Sequence, residues 1–110
     1  MDLVTITNPR SPLSEAFRTL RTNLSFYSLE SPLRSLVVTS PGIGDGKSST
    51  VANLAVTMAQ SGRKTVLVDC DLRRPSLHTL FNLKAEPGFT DAILHNSEPA
   101  LQGTAVENLW

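Results

Sequence analysis

Residues 35–62 constrain the fold of this 110-residue chain more than any other stretch. Residues 35–39, Ser-Leu-Val-Val-Thr, are an uninterrupted run rich in β-branched side chains, the pattern of a strand buried on both faces. The run enters a loop with glycine at 42, 44 and 46. Residues 47–60 follow as a predicted helix, with Val51, Leu54, Ala55 and Met58 at helical spacing on the inward face. Ser61 and Gly62 close it, as a C-terminal glycine commonly does. Residues 65–68, Thr-Val-Leu-Val, then predict a second buried strand. Strand, helix, strand in that order predicts a right-handed crossover and a parallel pair, hence an α/β fold.

The loop carries the strongest chemistry. Glycines 42, 44 and 46 permit backbone conformations that other residues resist, and allow close approach to a ligand. Loop N–H groups can then point at phosphate oxygens, helped by the positive end of the helix that begins near Lys47. Lys47 is placed to reach the outer phosphates and the Ser48 hydroxyl to ligate Mg²⁺. The nucleotide-contacting set is Gly42, Ile43, Gly44, Asp45, Gly46, Lys47, Ser48 and Ser49. The pattern departs from the usual one at Pro41, which stands where glycine is expected. The plainer alternative is a glycine-rich turn with an incidental lysine, but its place between strand and helix favours a phosphate site.

A second motif ends the 65–68 strand. Asp69 and Asp71 stand at alternate positions past its carboxyl end, with Arg73 two residues on. In an open parallel sheet that end is where ligands bind, and the glycine loop leaves the previous strand at the same end. The two motifs therefore converge on one crevice. Asp69 could accept a proton from an attacking hydroxyl or orient water on Mg²⁺, and Asp71 could hold the loop or the metal shell. Alone, such a pair more often caps a turn; following a phosphate loop, the functional reading is preferred. Lys47, Asp69 and Asp71 are the candidate catalytic residues, and Ser48, Asp69 and Asp71 the candidate metal ligands.

The flanks are less informative. Residues 1–10 read as an extended lead-in. Ser11 and Pro12 predict the N-cap and first position of a helix ending near Ser28. Its apolar face carries Leu13, Ala16, Phe17, Leu20, Leu24 and Tyr27, and Glu15, Arg18 and Arg21 fall opposite. Tyr27 is expected to pack. Short helices are predicted around residues 76–83 and 89–95, and residues 106–110 resemble the start of a strand. Zero formal net charge leaves no basic field for nucleic acid. No apolar run is long enough to span a bilayer and no signal peptide is evident at the start. One cysteine, Cys70, cannot form an internal disulfide, which fits a reducing cytosol. His78 and His95 lack partners at metal-ligand spacing.

Together these residues resemble the bacterial tyrosine kinases of capsular and exopolysaccharide synthesis, within the wider P-loop ATPases that include partitioning and division-site proteins. The phosphate motif is similar from Thr39 to Ser48, and three apolar residues followed by Asp69-x-Asp71-x-Arg73 match the family's second motif. Glu15, Arg18 and Arg21 reproduce the spacing of a strip that relatives use to form a ring. The plainer reading of that strip is a solvated helix face. The resemblance implies a three-layer fold around a parallel sheet, an ATP and Mg²⁺ site, tyrosine autophosphorylation, and a membrane adaptor of the polysaccharide co-polymerase type. It implies a cytoplasmic location at the inner face of the plasma membrane. Residues 1–34 would be an extension with an oligomerisation helix and 35–110 a nucleotide-binding domain. The family's third motif, Asp-x-x-Pro, and its tyrosine cluster are absent from these residues, so the sheet is expected to be incomplete. The chain alone is then expected to bind nucleotide weakly or not at all and to transfer no phosphate; the alternative is a non-catalytic module that joins a ring of full-length subunits. Gly42 occupies the position of the lysine that marks the partitioning ATPases, which favours the kinase branch.

Overall fold

The computed structural model describes residues 3–27, 30–42 and 46–110. Five helices are found among them: α1 (Val4–Thr7), α2 (Pro12–Ser25), α3 (Lys47–Gln60), α4 (Leu77–Leu80) and α5 (Phe89–His95). The predicted limits of the helix after the glycine loop are met. Gly46 caps the start of α3 at φ +78°, in the left-handed region, and Gly62 follows Ser61 at φ +93°. Both positions need glycine because a Cβ there would be strained.

Helix α3 is the centre of the molecule. Ala52, Asn53, Leu54, Ala55, Val56, Thr57 and Ala59 are all buried, so the helix is covered nearly all round rather than on one face. Leu54 and Ala55 lie inward as expected, but Val51 and Met58 are only half-buried. Packing by α1, α2 and α4 explains the difference, and alanines at 52, 55 and 59 let neighbours approach closely. Ala55, Val56, Ala59 and Leu109 form the apolar core, with Leu3, Leu67, Phe81 and Val106 against it. Burying Leu109 contributes about 2 kcal/mol by the area removed from water.

The N-terminal segment is not extended as expected. Val4–Thr7 form one helical turn, too short to persist without tertiary support. That support comes from side chains far along the chain. Thr5 donates its N–H (3.1 Å) and its hydroxyl (2.8 Å) to the Asn53 Oδ1. The buried Ser14 hydroxyl shares its proton between the carbonyls of Val4 (3.0 Å) and Asn8 (2.7 Å). Helix α2 begins as predicted, the Ser11 hydroxyl accepting from the Ser14 N–H at 3.1 Å with Pro12 in the first turn. It ends at Ser25; the expected end near Ser28 falls outside the described residues. Tyr27 is 83% exposed and does not pack. Leu13, Ala16 and Leu20 are exposed, whereas Phe17, Arg18, Arg21 and Leu24 are half-buried. The helix is therefore rotated from its apolar face, because it docks through hydrogen bonds onto α1 and α3.

The strands are the main correction. Among the described residues, 35–39 form no ladder, and Val37 is 85% exposed instead of buried. Val66 and Val68 are also exposed. Residues 65–67 pair not with 35–39 but with 108–110, through a parallel bridge between Thr65 and Leu109. The Thr65 N–H donates to the Asn108 carbonyl and the Leu67 N–H to the Trp110 carbonyl, both at 2.8 Å. The Trp110 N–H returns to the Thr65 carbonyl at 3.0 Å. A β-branched run becomes a strand only where its edge finds a partner, and 35–39 have none among the described residues. Helix α4 is shorter than predicted, and α5 has the predicted limits, its start held by the Gly88 N–H on the Asp91 Oδ2 at 2.6 Å. No helix among the described residues is long and apolar enough to cross a membrane.

Candidate functional site

The start of α3 meets the segment after Val68. Lys47 is the first residue of α3, and its Nζ lies 3.7 Å from the Asp71 Oδ2. Asp71 is held from its own side too, its Oδ1 accepting from the Arg74 N–H at 3.1 Å. That backbone N–H is the largest influence and lowers the Asp71 carboxyl below its ordinary 3.8; burial pushes the other way, and Lys47 and the Arg73 N–H add to the lowering. Asp71 is thus a fixed anion facing the lysine of the loop.

Asp69 is used differently. Its Oδ1 accepts from the Asp71 N–H at 3.1 Å, and its Oδ2 from the N–H groups of Ser76 (3.0 Å) and Leu77 (3.1 Å). The carboxylate therefore tightens its own turn and caps the start of α4. Ser76 then donates its hydroxyl to the Ser48 Oγ at 3.1 Å, joining the second motif to the phosphate helix. The geometry thus gathers Lys47, Ser48, Asp69 and Asp71 around one end of α3.

Gly46 provides no side chain for the α3 N-terminus, and no side-chain cap hydrogen bond is made there among the described residues. A fourteen-residue helix with no side-chain cap at its N-terminus among the described residues, flanked by an ammonium and a hydroxyl, suits a phosphate. Two carboxylates beside that hydroxyl suit a hard cation. The residues present therefore fit a metal-bound nucleotide. Gly42 is described and exposed, the Ser40 hydroxyl donating to its carbonyl at 3.1 Å. Ile43, Gly44 and Asp45 lie outside the described residues. Ser49 is half-buried, and its carbonyl accepts from the Asn53 Nδ2 at 2.8 Å, on the side of α3 turned to α1. A wide cleft of about 550 Å³ opens beside Asp69 and Asp71, with Val66, Val68 and Leu101 among its walls.

The charged strip on α2 is divided. Arg18 pairs with Glu15 on the surface, both its Nε (3.1 Å) and Nη2 (2.8 Å) donating to one carboxylate oxygen. Arg21 instead reaches inward, its Nη1 donating to the Thr57 carbonyl at 2.8 Å. The expectation that Arg21 lies opposite the packed face is corrected: it is the anchor of α2 on the last turn of α3.

Two residues escaped the sequence reading. Ser76 was visible only as a serine after Pro75, before a weak helix signal. Asn53 was visible as a poor helix former amid small and apolar residues. Neither carries a periodic signal, since each acts through a partner distant in sequence.

The family model described as "ParA: NUBPL iron-transfer P-loop NTPase" matches residues 33–106, which hold both motifs. The chain belongs to the ParA-type P-loop NTPases. Nucleotide binding with a divalent metal is the general property of that family. Several similar proteins are named tyrosine-protein kinases. Tyrosine-protein kinase YwqD of Bacillus subtilis (strain 168) is 43% identical over 98% of this P-loop NTPase and 46% of its own length. Among solved structures, the chimerical protein CapA2B2 is similar with a TM-score of 0.89 at 41% identity, over 97% of this chain and 48% of that one. The BceF tyrosine kinase domain gives 0.86 at 33% identity, over 98% and 43%. The chain spans about half the length of YwqD and of the putative tyrosine-protein kinase CapB of Staphylococcus aureus, and only 15% of the tyrosine-protein kinase wzc of Salmonella typhi.

Proposed function

We propose that this chain is the ATP-binding portion of a protein-tyrosine autokinase that regulates capsular or exopolysaccharide synthesis and export. The observation that carries the reading is the meeting of Lys47 and Ser48 with Asp69 and Asp71 at the open N-terminus of α3. The identity of the relatives supports the tyrosine acceptor, and Gly42, in place of the partitioning lysine, speaks against a partitioning ATPase.

In this reading the N–H groups of residues 42–49 cradle the phosphates and Lys47 balances charge on the outer ones. Ser48, Asp69 and Asp71 would hold Mg²⁺, which supplies charge neutralisation when bound. Asp69 accepts the proton of the attacking tyrosine hydroxyl; the new bond joins that oxygen to the γ-phosphorus, and ADP leaves. The Lys47–Asp71 pair holds the ammonium near the loop until phosphate competes for it.

The exposed Leu36, Val37, Val66 and Val68 support a three-layer fold completed by further parallel strands in a longer protein. Residues 1–34 serve as extension and oligomerisation helix and 35–110 as part of the nucleotide-binding domain. The surface pair Glu15–Arg18 offers the ring contact, with Arg21 setting the pose of its helix. Through a membrane adaptor such a protein would work at the cytoplasmic face of the plasma membrane. By itself this chain transfers no phosphate; robust phosphorylation of an added tyrosine peptide would refute that.

Calorimetric titration with Mg-ADP tests the site. Weak but saturable binding is expected, reduced roughly ten- to hundredfold in Lys47→Met. Equal binding by both proteins would remove Lys47 from the site and the reading with it.

A further inference from the structure

Ser76 stands at the N-cap of α4, where a serine hydroxyl ordinarily accepts from a backbone N–H of the first turn. Here it makes no such bond. Asp69 does that work instead, its Oδ2 accepting from the Ser76 and Leu77 N–H groups. The exchange releases the Ser76 hydroxyl, which turns across to the Ser48 Oγ, 28 residues away in sequence. One residue therefore touches both halves of the site, Asp69 with its backbone and Ser48 with its side chain. Both are half-buried, so the contact is sheltered from full competition by water.

We propose that Ser76 is a positioning residue of the metal–nucleotide site, orienting the Ser48 hydroxyl toward the cation. The inference rests on the nucleotide-site reading above. A hydroxyl that gives a lone pair to a metal must send its proton elsewhere, and a fixed acceptor sets the direction of that lone pair. Either hydroxyl of the pair can donate. With a cation present, Ser48 donates to Ser76 and keeps its lone pairs for the metal. Without Ser76 the Ser48 hydroxyl turns freely, and the carboxylates alone orient the ion. Ser76 touches no reacting atom in this scheme; it acts through Ser48.

The test compares ADP binding with Mg²⁺ and with EDTA in wild type, Ser76→Ala, Ser76→Thr and Lys47→Met. Alanine keeps the N–H that meets Asp69, and α4 does not depend on the lost hydroxyl for its cap, so the variant folds. Ser76→Ala should bind metal-free ADP as wild type does and lose roughly tenfold of the Mg²⁺-dependent gain. Ser76→Thr, which keeps a hydroxyl, should recover it, and Mn²⁺ relaxation of solvent water should rank the variants alike. A full Mg²⁺ gain in Ser76→Ala, or an equal loss with and without metal, overturns the proposal alone. Wild type and Lys47→Met indistinguishable in EDTA overturns the nucleotide site itself and this proposal with it.

Discussion

Asp71 faces Lys47 across the site while its other oxygen is held by the Arg74 N–H. Because its carboxyl titrates below 3.8 when folded, folding favours the ionised form. The stabilisation is therefore complete above the ordinary value and fades as pH falls through the lowered one. The stability advantage of wild type over Asp71→Asn should be constant in the neutral range and shrink in strong acid. Urea midpoints for both proteins along a pH series would check this, and an advantage unchanged in acid would deny Asp71 its anionic role. The two carboxylates were legible as residues of interest, since spacing past a strand end marks them. Their division of labour was not. Which one meets Lys47 and which one caps α4 depends on where residues 74–77 return, and no local pattern records that.

At the scale of elements, the same strip of α2 contains a surface pair and an anchor. The Glu15–Arg18 pair is three residues apart on an exposed face, where ion pairs contribute little. Arg21 satisfies a carbonyl in the last turn of α3 and complements the negative end of that helix. Arg21→Ala should lower stability by about 1–2 kcal/mol, whereas Arg18→Glu should change it by less than about 0.5 kcal/mol. Urea unfolding of the two variants separates these roles, and an Arg18 effect as large as that of Arg21 would contradict them. Helix limits were readable where capping chemistry is local, as at Ser11-Pro12 and Gly62. The single turn of α1 was not, because Thr5 depends on Asn53, 48 residues away.

For the whole molecule, packing is concentrated on one side. Helices α1, α2 and α4 surround α3, while 35–39 lie outside any ladder among the described residues. Amide exchange should follow that division. The Thr65, Leu67 and Trp110 amides donate to carbonyls within 2.8–3.0 Å and should exchange slowly. The Leu36, Val37 and Val38 amides should exchange close to the rate of an unstructured peptide. Strong protection of residues 36–38 in two-dimensional NMR exchange spectra would show a ladder that this arrangement lacks. An apolar β-branched run reads as a buried strand from its composition, yet burial needs partners on both edges and both faces, and composition does not supply them.

By itself the sequence determined the limits of α3, the N-cap of α2 and the meeting of the Lys47-Ser48 and Asp69-Asp71 motifs. The helix limits and the cap follow from side-chain chemistry acting within a few residues; the meeting of the motifs was expected from parallel strands, but among the described residues it is held by Lys47–Asp71 and Ser76–Ser48 contacts instead. Only the tertiary structure decided that 65–67 pair with 108–110, that Arg21 turns inward, and that Ser76 bridges Asp69 and Ser48. These are contacts between segments far apart in the chain, chosen by which surfaces close most completely around α3, and no short stretch of sequence contains that choice.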